Sequence, residues 1–324
     1  MIDDDPYYEE RAEQILSAQL ALLRPERAYL RWPWPALQAL YGGMAPGTVH
    51  YVVGYSGIGK TTFIASAIKR WRDVENRRID VLPLEINPGS FRTQMACHSL
   101  DINPGPMLSG DFLGYPDAAH LRLSISNELH RQDDDDRVRV HSCRAIDVAQ
   151  FRQAVEGAVA RRSDVVIVDH IDHIAADGNG FDAAKRVNHA ALRLAEDNGI
   201  CMILMSQANS EALKGSKDRL AKYLPLHDNH VWMGQVKRQV ATGMLSLYRP
   251  VRERRTSESP EDYLDAYRRA RVGDNAPHEM LMPGTGGISL MKSRNYGDRE
   301  GMHTLLTLRN GLFVEHEPIA RSMM

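Results

Sequence analysis

Cysteine is scarce in this chain, with three in 324 residues. Cys97, Cys143 and Cys201 are widely separated, odd in number and out of metal-ligand spacing, so a disulfide framework and a cysteine zinc site are both excluded. They read as small buried hydrophobes. Long apolar runs are missing too: nothing approaches the roughly 20 consecutive apolar residues of a membrane-spanning helix. The opening Met1-Ile2-Asp3-Asp4-Asp5-Pro6 is acidic where a secretory signal is basic and then apolar, so a cytoplasmic protein with no membrane partner is expected. Nor is there an excess of charge of either sign. Forty basic residues against 42 acidic ones leave a formal charge of −2, and any nucleic-acid partner must be met by a local patch. The acidic runs Asp3–Asp5 and Asp133–Asp136 read as solvated surface.

What is present is the balance of a globular chain, 43% hydrophobic and 25% charged, long enough for one large or two ordinary domains. Residues 7–24 carry Ala12, Leu16, Leu20 and Leu23 at helical spacing before Pro25 stops the pattern. That amphipathic helix has no core of its own and needs a domain or a neighbouring subunit to pack against. From residue 48 strands and helices alternate. Strand-length apolar runs appear at Val49–Val53, Ile79–Leu84, Val138–Val140, Val165–Val168, Cys201–Met205, Met244–Tyr248 and Ile288–Met291. Helical patterns lie near Thr61–Trp71, Val148–Arg161 and Ala183–Asp197, which predicts right-handed crossovers and an α/β fold with a mainly parallel sheet flanked by helices. Leu305–Leu308, Asn310-Gly311 and Leu312–Val314 read as a terminal β-hairpin. Pro83 cannot donate to a sheet ladder, so its strand should fray or end there. The expected organisation is an arm over residues 1–27 and one domain over 28–324, with an arginine-rich insertion at about 251–285.

Gly54-Tyr55-Ser56-Gly57-Ile58-Gly59-Lys60-Thr61-Thr62 follows one of these strands and opens a helix. In that context the glycines let the backbone bend round a phosphate chain, and the helix N-terminus and loop N–H groups bind the anion. Lys60 reaches the terminal phosphates and the Thr61 hydroxyl ligates Mg²⁺. The cofactors expected are therefore ATP and Mg²⁺. Asp164-Val-Val-Ile-Val-Asp169 is an apolar strand ending in a carboxylate, where such enzymes place the acid of the magnesium site. His170 follows it instead of a glutamate, so the residue that aligns water must come from elsewhere. Glu85, ending the Ile79–Leu84 strand, is the candidate, because strand ends beside the phosphate loop line one crevice. Gln207, ending the Cys201 strand, offers an amide that could sense the terminal phosphate.

Taken in order, these parts resemble the RecA-like motor domain of DnaB-type replicative helicases over about residues 28–316. Trp34-Pro-Ala-Leu37 through Gly42-Gly43-Met-Ala-Pro46-Gly47 resembles that family's entry segment, and Leu84-Glu85-Ile86-Asn87 its motif with a catalytic glutamate. Val187–Ile200 followed by Leu204-Met-Ser206-Gln207-Ala-Asn209 resembles its helix and Leu-Ser-Gln-x-Asn strand. Gly234–Pro250 is similar to its Gly-Ser-Ile-Glu-Gln-Asp-Ala-Asp segment and the strand after it. Lys292-Ser-Arg294-Asn295-Tyr-Gly297 resembles the Lys-x-Arg-Asn-Gly motif that reaches a neighbouring subunit's ATP. The resemblance implies an ATP hydrolase and DNA helicase working as a hexameric ring on single-stranded DNA, with replication or loader proteins as possible partners. It also implies catalytic roles for Lys60, Glu85, Gln207, Lys292 and Arg294.

The departures are specific. Val231-Trp232-Met233 stands where the family carries an Arg-Glu-x-Gly element, and Lys237-Arg238-Gln239-Val240-Ala241 replaces Glu-Gln-Asp-Ala-Asp. The family's collar domain and fused primase are not expected here, and the helix of residues 7–24 sits where the family has a linker helix. The tract between Gln207 and Met244 nevertheless has the composition of a single-strand binding loop, with basic residues for phosphates and aromatics for bases. Lys222, Trp232, Gly234, Lys237 and Arg238 are its candidate nucleic-acid contacts. Two other readings stay open: a DnaB-derived switch or loader acting on a protein partner, and a RecA- or RadA-like recombination ATPase.

Overall fold

The computed structural model describes residues 29–143, 146–209, 226, 231, 233–248, 285–294, 299–309 and 312–315. The expected helix of residues 7–24, the insertion, the Asn310-Gly311 turn, and Lys222 and Trp232 lie outside the described residues. The elements run α1 (Pro35–Tyr41), β1 (Val49–Gly54), α2 (Lys60–Asp73), β2 (Ile79–Pro83), α3 (Pro88–Ser99), α4 (Pro104–Ser109), α5 (Ala118–Asp134) and β3 (Val138–Val140). They continue through β4 (Ile146–Asp147), α6 (Val148–Ala160), β5 (Val165–Asp169), β6 (Ile174–Ala175), α7 (Gly180–Asn198) and β7 (Cys201–Gln207). Last come α8 (Gly234–Val240), β8 (Gly243–Tyr248), β9 (Thr285–Ser293), β10 (His303–Arg309) and β11 (Leu312–Glu315).

Nine of these strands form one sheet in the order β11-β10-β9-β8-β1-β7-β5-β2-β3. From β8 to β3 every pairing is parallel, and β9, β10 and β11 add antiparallel strands at one edge. The expected parallel sheet, and the hairpin as β10 and β11, are both present. Strands β1, β2, β5 and β8 are buried along their whole length because helices cover both faces. Successive side chains of a strand alternate between those faces. Val165 and Ile167 join Phe63, Ile64, Ile68 and Trp71 of α2 on one side, while Val166 and Val168 join Phe151 and Val155 of α6 and Val187, Ala191 and Leu194 of α7 on the other. Polar helix ends are closed locally: Asp147 and Gln150 form a reciprocal capping box on α6, and Asn179 accepts from two N–H groups of α7.

The stretch between β2 and β3 was silent in the sequence and holds three helices. Their buried positions mix types, as with Phe91, Gln94, Met95 and His98 in α3, so no clean apolar stripe marks them. The acidic run that closes α5 is also more engaged than expected. Asp133 pairs with Arg92, Asp135 with Arg137 at 2.7 Å, and Asp136 with Arg78 at 3.1 Å. Cys97 and Cys201 are buried and unbridged and Cys143 is half-buried. None of the described helices is long and apolar enough to cross a membrane.

Candidate nucleotide-binding site

Parallel pairing brings the carboxyl ends of the central strands to one rim. Gly54 of β1 lies opposite Gln207 of β7, and Pro83 of β2 opposite Asp169 of β5. β2 ends at Pro83 as its missing donor requires, and the Glu85 N–H still reaches the Asp169 carbonyl at 2.9 Å. Gly54, Asp169, Glu85 and Gln207 therefore border one crevice, where ligands of open α/β sheets bind.

The loop from Gly54 to Thr61 turns sharply at this rim. A Cβ on Gly54 would sit 2.7 Å from the Ile58 side chain and 3.3 Å from the Leu247 carbonyl, so only glycine fits there. Gly59 caps α2 with φ +105°, in the left-handed region that glycine enters without penalty. Ser56 and Gly57 are exposed, whereas Ile58 is buried. Lys60 folds back so that Nζ donates to the carbonyls of Gly54 at 3.0 Å and Tyr55 at 3.2 Å. Burial pulls this ammonium below its ordinary value, against Glu85, Asp169 and Asp172, which raise it. A phosphate oxygen is the better acceptor for such a buried cation.

Thr61 Oγ1 donates to Asp169 Oδ2 at 2.8 Å. Thr62 is tied to α3 instead, its hydroxyl accepting from Gln94 Nε2 at 2.9 Å. Burial raises the Asp169 carboxyl above its ordinary value, partly offset by the Thr61 hydrogen bond and by His170. Its Oδ1 is buried with no hydrogen-bond partner among the described residues. A buried anionic oxygen so placed calls for a cation, and a hydroxyl beside a carboxylate is the hard oxygen set that suits Mg²⁺. The site fits the ion. Glu85 is exposed at the mouth, and Glu85, Asp169 and His170 each bring one donor atom within 4.8 Å of the others.

Behind this rim the structure assembles a cluster that the sequence did not disclose. His170 is 1% exposed, with Nε2 3.5 Å from Glu85 Oε2 and Nδ1 3.4 Å from Asp172 Oδ2. Asp172 accepts from Ser206 Oγ at 2.9 Å, from the Gln207 N–H at 3.3 Å and from Lys237 Nζ at 2.6 Å. Burial alone would raise the Asp172 carboxyl, but His170 and the Lys237 ammonium hold it well below the usual carboxylate range. Burial lowers Lys237 and Asp172 opposes that shift.

Lys237, expected at a single-strand contact, is thus placed differently. It is 0% exposed and its ammonium faces Asp172 and Ser206. Desolvating that charge on the inner face of α8 is possible because Asp172 compensates it. Gly234 is buried as the first residue of α8. Arg238 donates to the Met291 carbonyl at 3.0 Å and pairs with Glu300 at 2.7 Å. Lys292 and Arg294, two apart at the end of β9, both turn to the carboxyl end of α8. Lys292 Nζ meets the carbonyls of Arg238 and, at 2.8 Å, Ala241, and the exposed Arg294 donates to the Gln239 carbonyl at 2.9 Å. Cations at a helix C-terminus satisfy its orphan carbonyls and its dipole.

A family model described as the DnaB-like helicase C terminal domain matches residues 33–222. No match is found among curated proteins. The fold is shared with solved structures at low identity. One, described as an ATPase domain, has a TM-score of 0.65 at 13% identity, covering 94% of this chain and 98% of its own. A DnaB-like replicative helicase, described with its interactions with primase, has a TM-score of 0.67 at 14% identity over 94% of this chain and 66% of that one. A KaiC-like protein from the archaeon Pyrococcus horikoshii reaches 0.53 at 15% identity, over 89% and 99%. What these neighbours share with this chain is the fold, a large and mostly parallel sheet flanked by helices.

Proposed function

Because this chain belongs to the DnaB-like helicase C terminal domain family, we propose that it is an ATP-hydrolysing motor which, as a hexameric ring, moves along single-stranded DNA. In this reading residues 28–324 are the motor domain, preceded by an arm over residues 1–27 that lies outside the described residues. The observation that carries this reading is the convergence of Lys60, Thr61 and Asp169 with the exposed Glu85 at one sheet rim. Loop N–H groups from Ser56 to Thr62 and the Lys60 ammonium bind the phosphates, and Thr61 with Asp169 holds Mg²⁺, which neutralises charge on the phosphate oxygens. Glu85 orients a water molecule in line with the γ-phosphorus and takes its proton as the bond to the leaving ADP oxygen breaks. Gln207, beside Gly54 in the sheet, senses the γ-phosphate. Lys292 and Arg294 act on the nucleotide of the neighbouring subunit. A replication or loader protein is the expected protein partner, in keeping with the primase described with one structural neighbour.

One observation favours a second reading, an ATPase switch acting on a protein: the burial of Lys237 removes a phosphate contact expected on the DNA side. The experiment is ATP turnover by the full chain with and without single-stranded DNA, followed by strand separation and by mass measurement with ATP and DNA present. The motor reading expects stimulation, unwinding and a hexamer. ATP turnover that ignores single-stranded DNA favours the switch. Unchanged turnover in Lys60→Ala removes the ATPase assignment altogether.

A further inference from the structure

Phosphate binding and metal binding do not call for a histidine after Asp169, yet His170 is almost completely buried there. Neither ring nitrogen has a hydrogen-bond partner of ordinary geometry among the described residues. Each instead faces a carboxylate, Glu85 on the Nε2 side and Asp172 on the Nδ1 side, at 3.5 Å and 3.4 Å. Leaving a buried polar ring unsatisfied costs about 1–3 kcal/mol. A shift of roughly 0.5 Å turns either contact into a hydrogen bond. The Glu85 side chain has no hydrogen bond of its own among the described residues; only its backbone N–H is held, on Asp169. His170 is thus well placed to select its rotamer.

The chain of contacts continues past Asp172. Lys237 joins it at 2.6 Å and Ser206 Oγ at 2.5 Å, so a fully buried ammonium ties α8 to the carboxylate that faces His170. If the cluster served only to fasten α8 to the sheet, the Asp172–Lys237 pair would suffice. The histidine adds a connection in one further direction, toward Glu85. The far end of the same helix is where Lys292 and Arg294 rest.

We propose that His170 is a positioning residue through which Asp172 and Lys237 set the Glu85 carboxylate, so that the water-orienting group follows the position of helix α8. The proposal rests on the reading of Glu85 as that group. It makes α8 the common element between this subunit's own hydrolysis site and the Lys292–Arg294 pair. A displacement of α8 then alters hydrolysis, and occupancy of the site biases α8, since coupling between sites is reciprocal.

The test is a double-mutant cycle on the full chain, with kcat, KM and the affinity for a fluorescent ATP analogue measured for Glu85→Gln, His170→Phe and the double variant. Misplacing a catalytic group by about 1 Å costs up to about 100-fold. His170→Phe is therefore expected to lower kcat about 10- to 100-fold while nucleotide affinity stays within about threefold. In the Glu85→Gln background the same change should cost less than about twofold, because residues acting through one group are not additive. His170→Gln, which keeps a donor and an acceptor, should recover part of kcat, and Lys237→Met combined with Asp172→Asn, which strands no charge, should repeat the Glu85-dependent loss if His170→Phe does not fold. Losses that multiply in full across the cycle, or that fall equally on affinity and kcat, overturn the relay and leave Glu85 in place. Wild-type turnover in Glu85→Gln overturns the assignment of Glu85 itself.

Discussion

Lowering the pH from 7 to 4 should cost the fold about 3 kcal/mol through His50 alone. His50 lies in β1 and is 2% exposed. Its hydrogen bonds define one neutral tautomer. Thr48 Oγ1 donates to the Ala45 carbonyl at 2.5 Å and so accepts the Nε2–H of His50 at 2.7 Å. Nδ1 is left as the acceptor of the Tyr41 hydroxyl at 2.6 Å. A second proton would set an N–H against that O–H in a buried site, and burial pushes the imidazole from 6.5 down to about 3. The unfolded chain takes up a proton near the ordinary value and the folded chain does not, so across that window the unfolded state binds more protons. Stability therefore falls as pH falls, by about 1.4 kcal/mol per unit, and the group is neutral in its effect above that window. Urea unfolding at pH 7, 5.5 and 4 would measure it in the wild type and in His50→Gln, which cannot titrate. The substitution carries its own pH-independent cost, but the variant's profile should be flatter by about 3 kcal/mol between the extremes. Parallel profiles would refute the reasoning, because other buried acids and histidines affect both proteins alike.

Two further outcomes follow from the cluster at α8 and from the end of β9. Lys237→Met should lose about 3–5 kcal/mol in denaturant unfolding, because it strands the Asp172 carboxylate in the interior, and adding Asp172→Asn should restore part of that; a loss below about 1 kcal/mol would mean the pair is solvated. Arg294→Ala is expected to fall about 10³–10⁵-fold in turnover if its guanidinium serves a neighbour's phosphate. Mixing it with Lys60→Ala, which keeps its arginine, should then recover part of the activity in shared sites. No recovery from mixtures whose subunits demonstrably exchange would restrict Arg294 to its present contact with the Gln239 carbonyl.

Which parts could be read in advance follows from how far apart in the chain the deciding groups lie. A phosphate loop is nine consecutive residues between a strand and a helix, and the Val165–Asp169 strand is a single apolar run, so local pattern carries both. Parallel strand direction, though not strand order, followed from crossovers, and the stop at Pro83 from its missing donor. Helices α3 to α5 escaped because their buried faces include Gln94, His98, Glu128 and Gln132, which an apolar period does not register.

Lys237 shows the limit more sharply. It stands three residues from both Gly234 and Val240, which are buried with it on one side of α8, so helical spacing alone was a warning against placing it on the surface. The sequence did not indicate what would neutralise it: Asp172 is 65 residues away, in a turn after β5. His170 was visible only as the absence of an adjacent glutamate. Its meaning depends on Asp172 and Glu85 arriving on opposite sides of the ring, and Glu85 comes from a neighbouring strand. Pairings of this kind are made by β2, β5 and β7 lying side by side. The residues proposed to bind phosphate could therefore be read from one segment, and those proposed to set the geometry of hydrolysis only from the assembled sheet.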